Sequence, residues 1–208
     1  MNNDQWFNNR LRGDFAESIA MIHFSALGYR VERTGIEYTA PFYANLQSKA
    51  KYNNFKVNSQ FKSAFNFMSK YPDFIASRES IDPNTGESTI NSFLIEVKYR
   101  KNVDLSLLKT ELKETYKEHL NLKHAIFVYL VCKNITNESD VTFKSYVKPK
   151  SFRIFFCYLG HERCDWWEAG TDKFDNNYLY KLDFNGVQDN FNRIYRDVII
   201  EYLNEFSA

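Results

Sequence analysis

The run of residues 125–131, with the sequence AIFVYLV, constrains the fold of this chain more than any other stretch. A strand with one face in water alternates apolar and polar residues, whereas a strand that is covered on both faces is apolar throughout. We therefore expect this run to be a central strand of a sheet that carries helices on both of its faces.

Apolar spacing predicts the other elements of that sheet. Phe15, Ile19 and Ile22 recur at helical spacing, which predicts a first helix over about residues 7–27. Turn-forming residues at 82–86 separate two apolar segments and predict an antiparallel hairpin. The predicted strands are, in chain order, residues 29–32, 74–76, 93–99, 125–131 and 151–159.

Further helices are predicted after the hairpin and near the end of the sequence. Leu105, Leu108, Leu112 and Tyr116 fall on one helical stripe, and Asp104 is suited to cap the N terminus of that helix. The other predicted helices are a less clear one at residues 60–69 and a last one that carries Phe191, Ile194, Tyr195, Val198, Tyr202 and Phe206.

The order of these elements predicts an α/β fold of three layers, α/β/α, with a central mixed sheet. With 208 residues, the chain has the size of a single domain. We expect the core over about residues 7–132 and a C-terminal elaboration, with a strand and a helix, over about residues 133–208.

Composition excludes several functions. The formal net charge is +1, so the protein as a whole has no strong attraction for nucleic acids or membranes. Three cysteines without framework spacing, Cys132, Cys157 and Cys164, favour reduced thiols. Cys157 and Cys164 flank His161, but no fourth ligand for structural zinc is evident. No apolar run approaches membrane-spanning length, so we expect a cytoplasmic protein without a membrane partner.

The strand predicted at residues 93–99 carries two charges in an apolar run. Glu96 and Lys98 share one face of it, and burying them is costly unless they are paired or bound to something. If the turn is centred between residues 84 and 85, the hairpin register puts Asp73 opposite Glu96. Two carboxylates and a lysine would then converge at one place.

Carboxylates held that close repel each other unless a positive charge lies between them. Lys98 supplies part of that charge, and a hard divalent cation such as Mg²⁺ supplies the rest. Such a metal polarises a phosphoryl oxygen and helps to generate hydroxide, while a neighbouring lysine orients or deprotonates water and stabilises developing charge. The predicted chemistry is hydrolysis of a phosphodiester.

The sequence Pro72-Asp73, followed on the next strand by Glu96-Val97-Lys98, resembles the signature of the PD-(D/E)XK nuclease superfamily. This superfamily includes restriction endonucleases, junction resolvases and many phage and repair nucleases. The resemblance implies a restriction-endonuclease-like core of the order α-β-β-β-α-β, here over about residues 14–132.

The resemblance also implies roles for four residues. Asp73 and Glu96 would be the main metal ligands, and Lys98 the catalytic lysine. Glu17 on the first helix would contact the metal directly or through water, with Asp14 as an alternative.

The implied activity is that of a nuclease dependent on Mg²⁺, or on Mn²⁺ as a substitute, which acts on DNA in preference to RNA. An endonuclease is favoured over an exonuclease, and a homodimer is expected from the resemblance. Two alternatives stay open: a catalytically silent nucleic-acid-binding or assembly module on the same fold, and a nuclease subunit that needs a targeting protein partner.

Three segments are candidates for contact with nucleic acid. Residues 39–72 contain five lysines and no acidic residue, and Lys49, Lys51 and Lys56 are interleaved there with aromatic residues. The residues that follow Lys98 are Tyr99, Arg100 and Lys101. They either bind phosphate groups of a nucleic acid or form the end of a strand that is exposed to solvent. Trp166 and Trp167 either stack on bases or pack in the interior.

Overall fold

One mixed sheet organises the residues that the computed structural model describes, namely 3–34, 70–81, 84–122, 126–145, 152–160, 165–171 and 193–205. Within these residues the strands are β1 (Arg30–Arg33), β2 (Phe74–Ile81), β3 (Ser88–Val103), β4 (Ile126–Ile135), β5 (Val141–Phe143), β6 (Arg153–Leu159) and β7 (Trp166–Glu168). They form a seven-stranded sheet in the order β1-β2-β3-β4-β6-β7-β5.

Both kinds of strand pairing occur in this sheet. The hairpin of β2 and β3 is antiparallel, as are the pairs β1/β2, β4/β6 and β6/β7. In contrast, β4 runs parallel to β3, and β5 runs parallel to β7. The predicted mixed sheet is confirmed, and the α/β class with it.

Helices account for the rest of the described secondary structure. They are α1 (Asn3–Ala26), α2 (Leu105–Thr115), α3 (Lys117–Asn121) and α4 (Ile200–Glu205), with a 3-10 turn at Glu138–Asp140 and a π-helical turn at Tyr195–Ile199 directly before α4. The parallel step from β3 to β4 is made through α2 and α3, as parallel strands require a crossover. None of the described helices is long and apolar enough to cross a membrane.

Strand β4 occupies the central position that its composition predicts. Residues 126–132 are all buried. Their side chains alternate between two apolar clusters, one containing Phe127 and Tyr129 and the other containing Val128 and Leu130. The first cluster includes residues of α1 and of the C-terminal helical residues 193–205, and the second includes residues of α2.

The hairpin has the predicted register. Phe74 pairs with Ile95 and Ile81 pairs with Ser88, which centres the turn between residues 84 and 85. Both strands are longer than predicted, however. Their exposed ends lack the apolar alternation that marks a strand, so the sequence pattern does not indicate them. The predicted Asp104 cap is confirmed as well, since its Oδ1 accepts a hydrogen bond from the backbone N of Leu107 at 2.9 Å.

The C-terminal residues extend the same sheet with two strands that were not predicted, β5 and β7. Trp166 and Trp167 lie in β7 and are both buried, so they pack in the interior and do not present a stacking surface. The indole Nε1 of Trp166 donates a hydrogen bond to the carbonyl oxygen of Leu105 at 2.9 Å, which ties β7 to the start of α2.

An ion-pair network stabilises this edge. The buried Glu168 carboxylate accepts hydrogen bonds from Arg153 Nε at 2.7 Å and from the backbone N of Ser145 at 3.0 Å. Arg153 also forms an ion pair with Glu138. These bonds satisfy both carboxylate oxygens of Glu168, which is what a buried charge requires.

Two of the three cysteines lie in the interior. Cys132 and Cys157 are buried, reduced thiols in the cluster on the α2 side of the sheet, and burial raises the pKa of Cys132 to about 12. Cys164 and His161 lie outside the described residues, as does the predicted helix at 60–69.

Substitutions in α2 test the packing of this helix on the sheet. Leu112 is 1% exposed and Leu107 is 70% exposed. We expect Leu112→Ala to lower the free energy of unfolding by about 2–5 kcal/mol, because it leaves a cavity in the core. Leu107→Ala, the matched control in the same helix, should change it by less than about 0.5 kcal/mol. Urea denaturation measures both, and equal effects would contradict the packing of α2.

Candidate active site

Asp73 directly precedes β2 and lies between the end of β1 and the middle of β3. Its carbonyl oxygen accepts a hydrogen bond from the backbone N of Thr34 at 3.0 Å, and its Oδ2 accepts one from the backbone N of Val97 at 2.7 Å. The hairpin pairing begins at Phe74 with Ile95, and extending this register by one residue puts Asp73 opposite Glu96. Backbone groups of both neighbouring strands therefore fix the Asp73 carboxylate beside the Glu96-Val97-Lys98 segment.

The Glu96 carboxylate is buried in the middle of the sheet. Its side chain is 2% exposed, and β3 is the third of the seven strands, so Glu96 does not lie on the open face of an edge strand. Lys98 Nζ donates a hydrogen bond to Oε1 of Glu96. The other oxygen, Oε2, has no hydrogen-bond partner among the described residues. An unpartnered buried carboxylate oxygen is costly, and it is a common mark of a binding site.

Lys98 is a cation at neutral pH. Burial disfavours its ammonium group and lowers its pKa, but the negative charges of Glu96 and Asp73 outweigh that effect. As a result, the pKa of Lys98 lies above its ordinary value of 10.5. In this state Lys98 places a positive charge beside the two carboxylates.

Glu17 reaches the same region from α1. Its Oε2 lies 2.6 Å from Arg33 Nη1, at the end of β1. Burial raises the pKa of Glu17, the charge of Asp73 raises it further, and Arg33 lowers it, with a net rise above 4.5. Asp14, the alternative acid, is exposed on the same helix. The charge of Asp73 thus acts on both Glu17 and Lys98, which links the four residues that the sequence predicts.

These acids do not form a closed cage. In the part of the chain that the structure describes, no group of three or more His, Cys, Asp or Glu side chains is arranged to hold a metal ion. Asp73 and Glu96 nevertheless match the one or two carboxylates that Mg²⁺ commonly takes in proteins, where water and phosphate oxygens complete its shell. The unpartnered Oε2 of Glu96 fits such a cation, since a hard positive ion would satisfy it.

Sequence reasoning assigned Tyr116 only to the core stripe of its helix. In the structure this residue also lies beside Glu96, and burial followed by the charge of Glu96 raises the pKa of Tyr116. The stripe itself contained the signal, because a tyrosine in a stripe of leucines needs a partner for its hydroxyl.

The basic strand end, Tyr99 to Lys101, follows Lys98 directly and lies within β3, which continues to Val103. Arg100 Nη2 is 3.6 Å from Glu111 Oε1, and Lys101 is exposed. Tyr99 is half-buried, with the guanidinium of Arg12 at 5.8 Å from the centre of its ring. Lys49, Lys51 and Lys56 lie outside the described residues.

Comparisons with protein families, with curated proteins and with solved structures find no match to this chain. The chemistry of the site is therefore inferred from its own residues and their geometry.

Replacing Glu17 tests the electrostatics of the site through protein stability. A raised pKa means that the folded protein binds the proton of Glu17 more tightly than the unfolded chain does. The folded state therefore loses stability, relative to the unfolded chain, as the pH rises from below 4.5 through the pKa of folded Glu17. We expect Glu17→Gln to be more stable than the unmodified protein at pH 7, with a gain that disappears below pH 4.5. Melting temperatures across this range measure the effect.

The control is Glu32→Gln, because Glu32 is exposed on β1 and pairs with the exposed Arg30. It should show no comparable gain. A less stable Glu17→Gln variant at pH 7 would mean that the Arg33 ion pair outweighs burial and the Asp73 charge, contrary to this account.

Proposed function

We propose that this protein is a metal-dependent nuclease that hydrolyses DNA phosphodiester bonds. The observation that carries the proposal is the juxtaposition of Asp73, the buried Glu96 and Lys98 across one hairpin, with an unpartnered oxygen on Glu96. A carboxylate pair beside a lysine cation suits a divalent metal and a phosphate, and it has no evident use in a purely structural strand.

The fold agrees with this proposal. The described elements α1, β1, β2, β3, α2 and β4 follow the order α-β-β-β-α-β that the PD-(D/E)XK resemblance implies. Apolar clusters on the two faces of the sheet include residues of α1 and of α2 respectively, as in a three-layer α/β/α core. Strands β5 to β7 extend that core toward the C terminus.

Asp73 and Glu96 would hold Mg²⁺ or Mn²⁺, with Glu17 in contact directly or through a water molecule. The bound metal supplies a Lewis acid for a phosphoryl oxygen and lowers the pKa of water. The backbone N of Val97 keeps the Asp73 carboxylate in one orientation. Lys98 contributes a fixed positive charge for the phosphate as negative charge develops on it, a contribution of the kind whose loss typically slows reactions about 10²–10³-fold.

Lys98 has a second role in the metal-free protein. Its ammonium group neutralises Glu96, whose carboxylate would otherwise be a buried, uncompensated charge close to Asp73. The same side chain can therefore keep the site folded before a metal binds and bind the substrate phosphate afterwards.

Endonucleolytic cleavage by a homodimer, with one site for each DNA strand, is the form of the activity that we propose. A protein partner that selects the target is compatible with the same site. A nucleic-acid-binding module without catalysis would need neither the orientation of Asp73 nor the unpartnered oxygen of Glu96.

Cleavage assays with a Lys98 variant test the proposal. We expect the unmodified protein to cut plasmid DNA with Mg²⁺ or Mn²⁺ and not with chelator. Lys98→Met should cut about 10²–10³-fold more slowly, because charge stabilisation is lost at the reacting phosphate. Because the variant also leaves Glu96 without its cation, circular dichroism and DNA binding must show that it is still folded. Lys113→Met is the matched control, since Lys113 is exposed on α2, and it should keep full activity.

Full activity of Lys98→Met would mean that the chemistry lies elsewhere in the protein. DNA binding by the unmodified protein without any metal-dependent cleavage would favour the silent binding module. Cleavage that arises only with a second protein would identify a nuclease subunit that needs a targeting partner.

The basic strand end provides a test of substrate binding. Each phosphate contact contributes about 0.9 to the slope of log affinity against log salt for duplex DNA. The double variant Arg100→Ala/Lys101→Ala should therefore weaken binding and reduce that slope by about 2. Fluorescence anisotropy over a range of salt concentrations measures it.

The control for this binding test is Lys113→Ala/Lys117→Ala, which removes the same charge from exposed positions in α2 and α3. Equal losses in both double variants would indicate a general charge effect and would argue against a contact at the strand end.

A further inference from the structure

Two lysines lie side by side near the carboxyl ends of the parallel strands β3 and β4. Asn134 Nδ2 donates a hydrogen bond to Asn102 Oδ1 at 3.0 Å, so the register of the two strands brings paired side chains into contact there. One residue earlier, on the opposite face, the same register puts Lys101 beside Lys133. Because adjacent strands are only about 4.8 Å apart, the two side chains start close together.

Both lysines lie on the α1 side of the sheet. Lys101 stands two residues after Tyr99, which packs against the apolar cluster of that side. Lys133 stands two residues after Val131, a member of that cluster, and its Nζ is 5.0 Å from the centre of the Phe152 ring. The pair is therefore on the face opposite to the buried carboxylate of β3.

Helix α1 brings a third positive charge to this face. The guanidinium carbon of Arg12 is 5.8 Å from the centre of the Tyr99 ring. Arg12, Lys101 and Lys133 are all exposed. Among the residues that the structure describes, none of the three forms a salt bridge with an acidic side chain. We call these three residues the cation cluster.

The cation cluster concentrates charge in a protein whose formal net charge is only +1. A single lysine at a strand end is simply hydrated, but like charges at neighbouring positions of adjacent strands destabilise a sheet. A bound anion would offset that repulsion. Aromatic rings already hold two of the three cations, Arg12 at Tyr99 and Lys133 at Phe152, which lowers the entropy lost when they bind an anion.

We infer that the cation cluster binds the phosphate backbone of duplex DNA. Lysine and arginine are the usual ligands of backbone phosphates, and three cations spread over one helix and two strands suit successive phosphates of one polymer. The carboxyl ends of parallel strands are also where α/β sheets commonly bind ligands. Contacts of this kind set the position of the duplex and carry no sequence information.

This inference deepens the proposed function, because it names a surface that holds the DNA away from the carboxylates. It rests on the proposed DNA substrate and does not depend on a bound metal. Binding can therefore be measured with chelator present, by fluorescence anisotropy of a labelled duplex over a range of salt concentrations.

Charge reversal at Lys101 distinguishes a binding surface from a hydrated strand end. Lys101→Glu puts a carboxylate beside Lys133, so an opposite-charge pair replaces the like-charge pair, and the melting temperature should not fall. The same change removes one phosphate contact and neutralises a second. We expect it to weaken DNA binding and to reduce the slope of log affinity against log salt by about 2.

The matched control is Lys113→Glu, which makes the same change of charge at an exposed position of α2, on the other side of the sheet. It should leave the salt slope unchanged. Lys133→Met removes one contact only and should reduce the slope by about 1. Equal slopes for the two charge reversals overturn the inference, and so does an unchanged slope for Lys133→Met. A lower melting temperature of Lys101→Glu than of Lys113→Glu contradicts the side-by-side lysines on which it depends.

Cleavage assays on the same samples separate failure of this inference from failure of the proposed function. If the unmodified protein cuts DNA while Lys101→Glu binds it with an unchanged salt slope, the inference fails and the nuclease stands. If DNA binds through the cation cluster and no metal leads to cleavage, the nuclease fails and the inference stands. If the unmodified protein does not bind duplex DNA, both fail.

Discussion

The buried carboxylate of Glu96 is the constraint on which the arrangement of this protein depends. It lies between the apolar residues Ile95 and Val97 of β3. Among the described residues, Lys98 donates a hydrogen bond to it and Tyr116 lies nearby. Buried ion pairs of this kind are often replaced by apolar residues without loss of stability, while the removal of one partner is strongly destabilising. Glu96 is therefore best understood as a group that stability alone does not require, around which the lysine and tyrosine are arranged.

The register of the hairpin decides whether Asp73 lies near this buried carboxylate. A shift of one residue in the pairing of β2 with β3 would move Glu96 and Lys98 to the opposite face, where α1 packs. The turn centred between residues 84 and 85 excludes that shift, although it lies more than ten residues from either carboxylate. Asp73 is further held at both ends, by Thr34 at its carbonyl group and by Val97 at its carboxylate.

Much of the fold could be predicted from the sequence where one local pattern decided the outcome. The uninterrupted apolar run gave the position of β4, the turn residues gave the hairpin register, and Asp104 gave the start of α2. Strands β5 and β7 could not be predicted, because three residues are too few to show a period. The ion pair of Glu17 and Arg33 joins residues on different elements, so no local sequence pattern predicts it. The position of Tyr116 beside Glu96 depends in the same way on how α2 lies on the sheet.

The packing of α1 has a consequence for how the protein is made. Its His23 ring stacks on Tyr195 near the other end of the described residues, and β4 is enclosed only when β6 pairs with it. During synthesis the first helix and the hairpin leave the ribosome long before these partners do, so the nascent chain cannot complete its core. Contacts between such distant residues also slow folding, since the long loops must close first. The carboxylates of the site would therefore reach their final spacing late, after synthesis has passed the C-terminal helix, and a growing chain would carry no finished site.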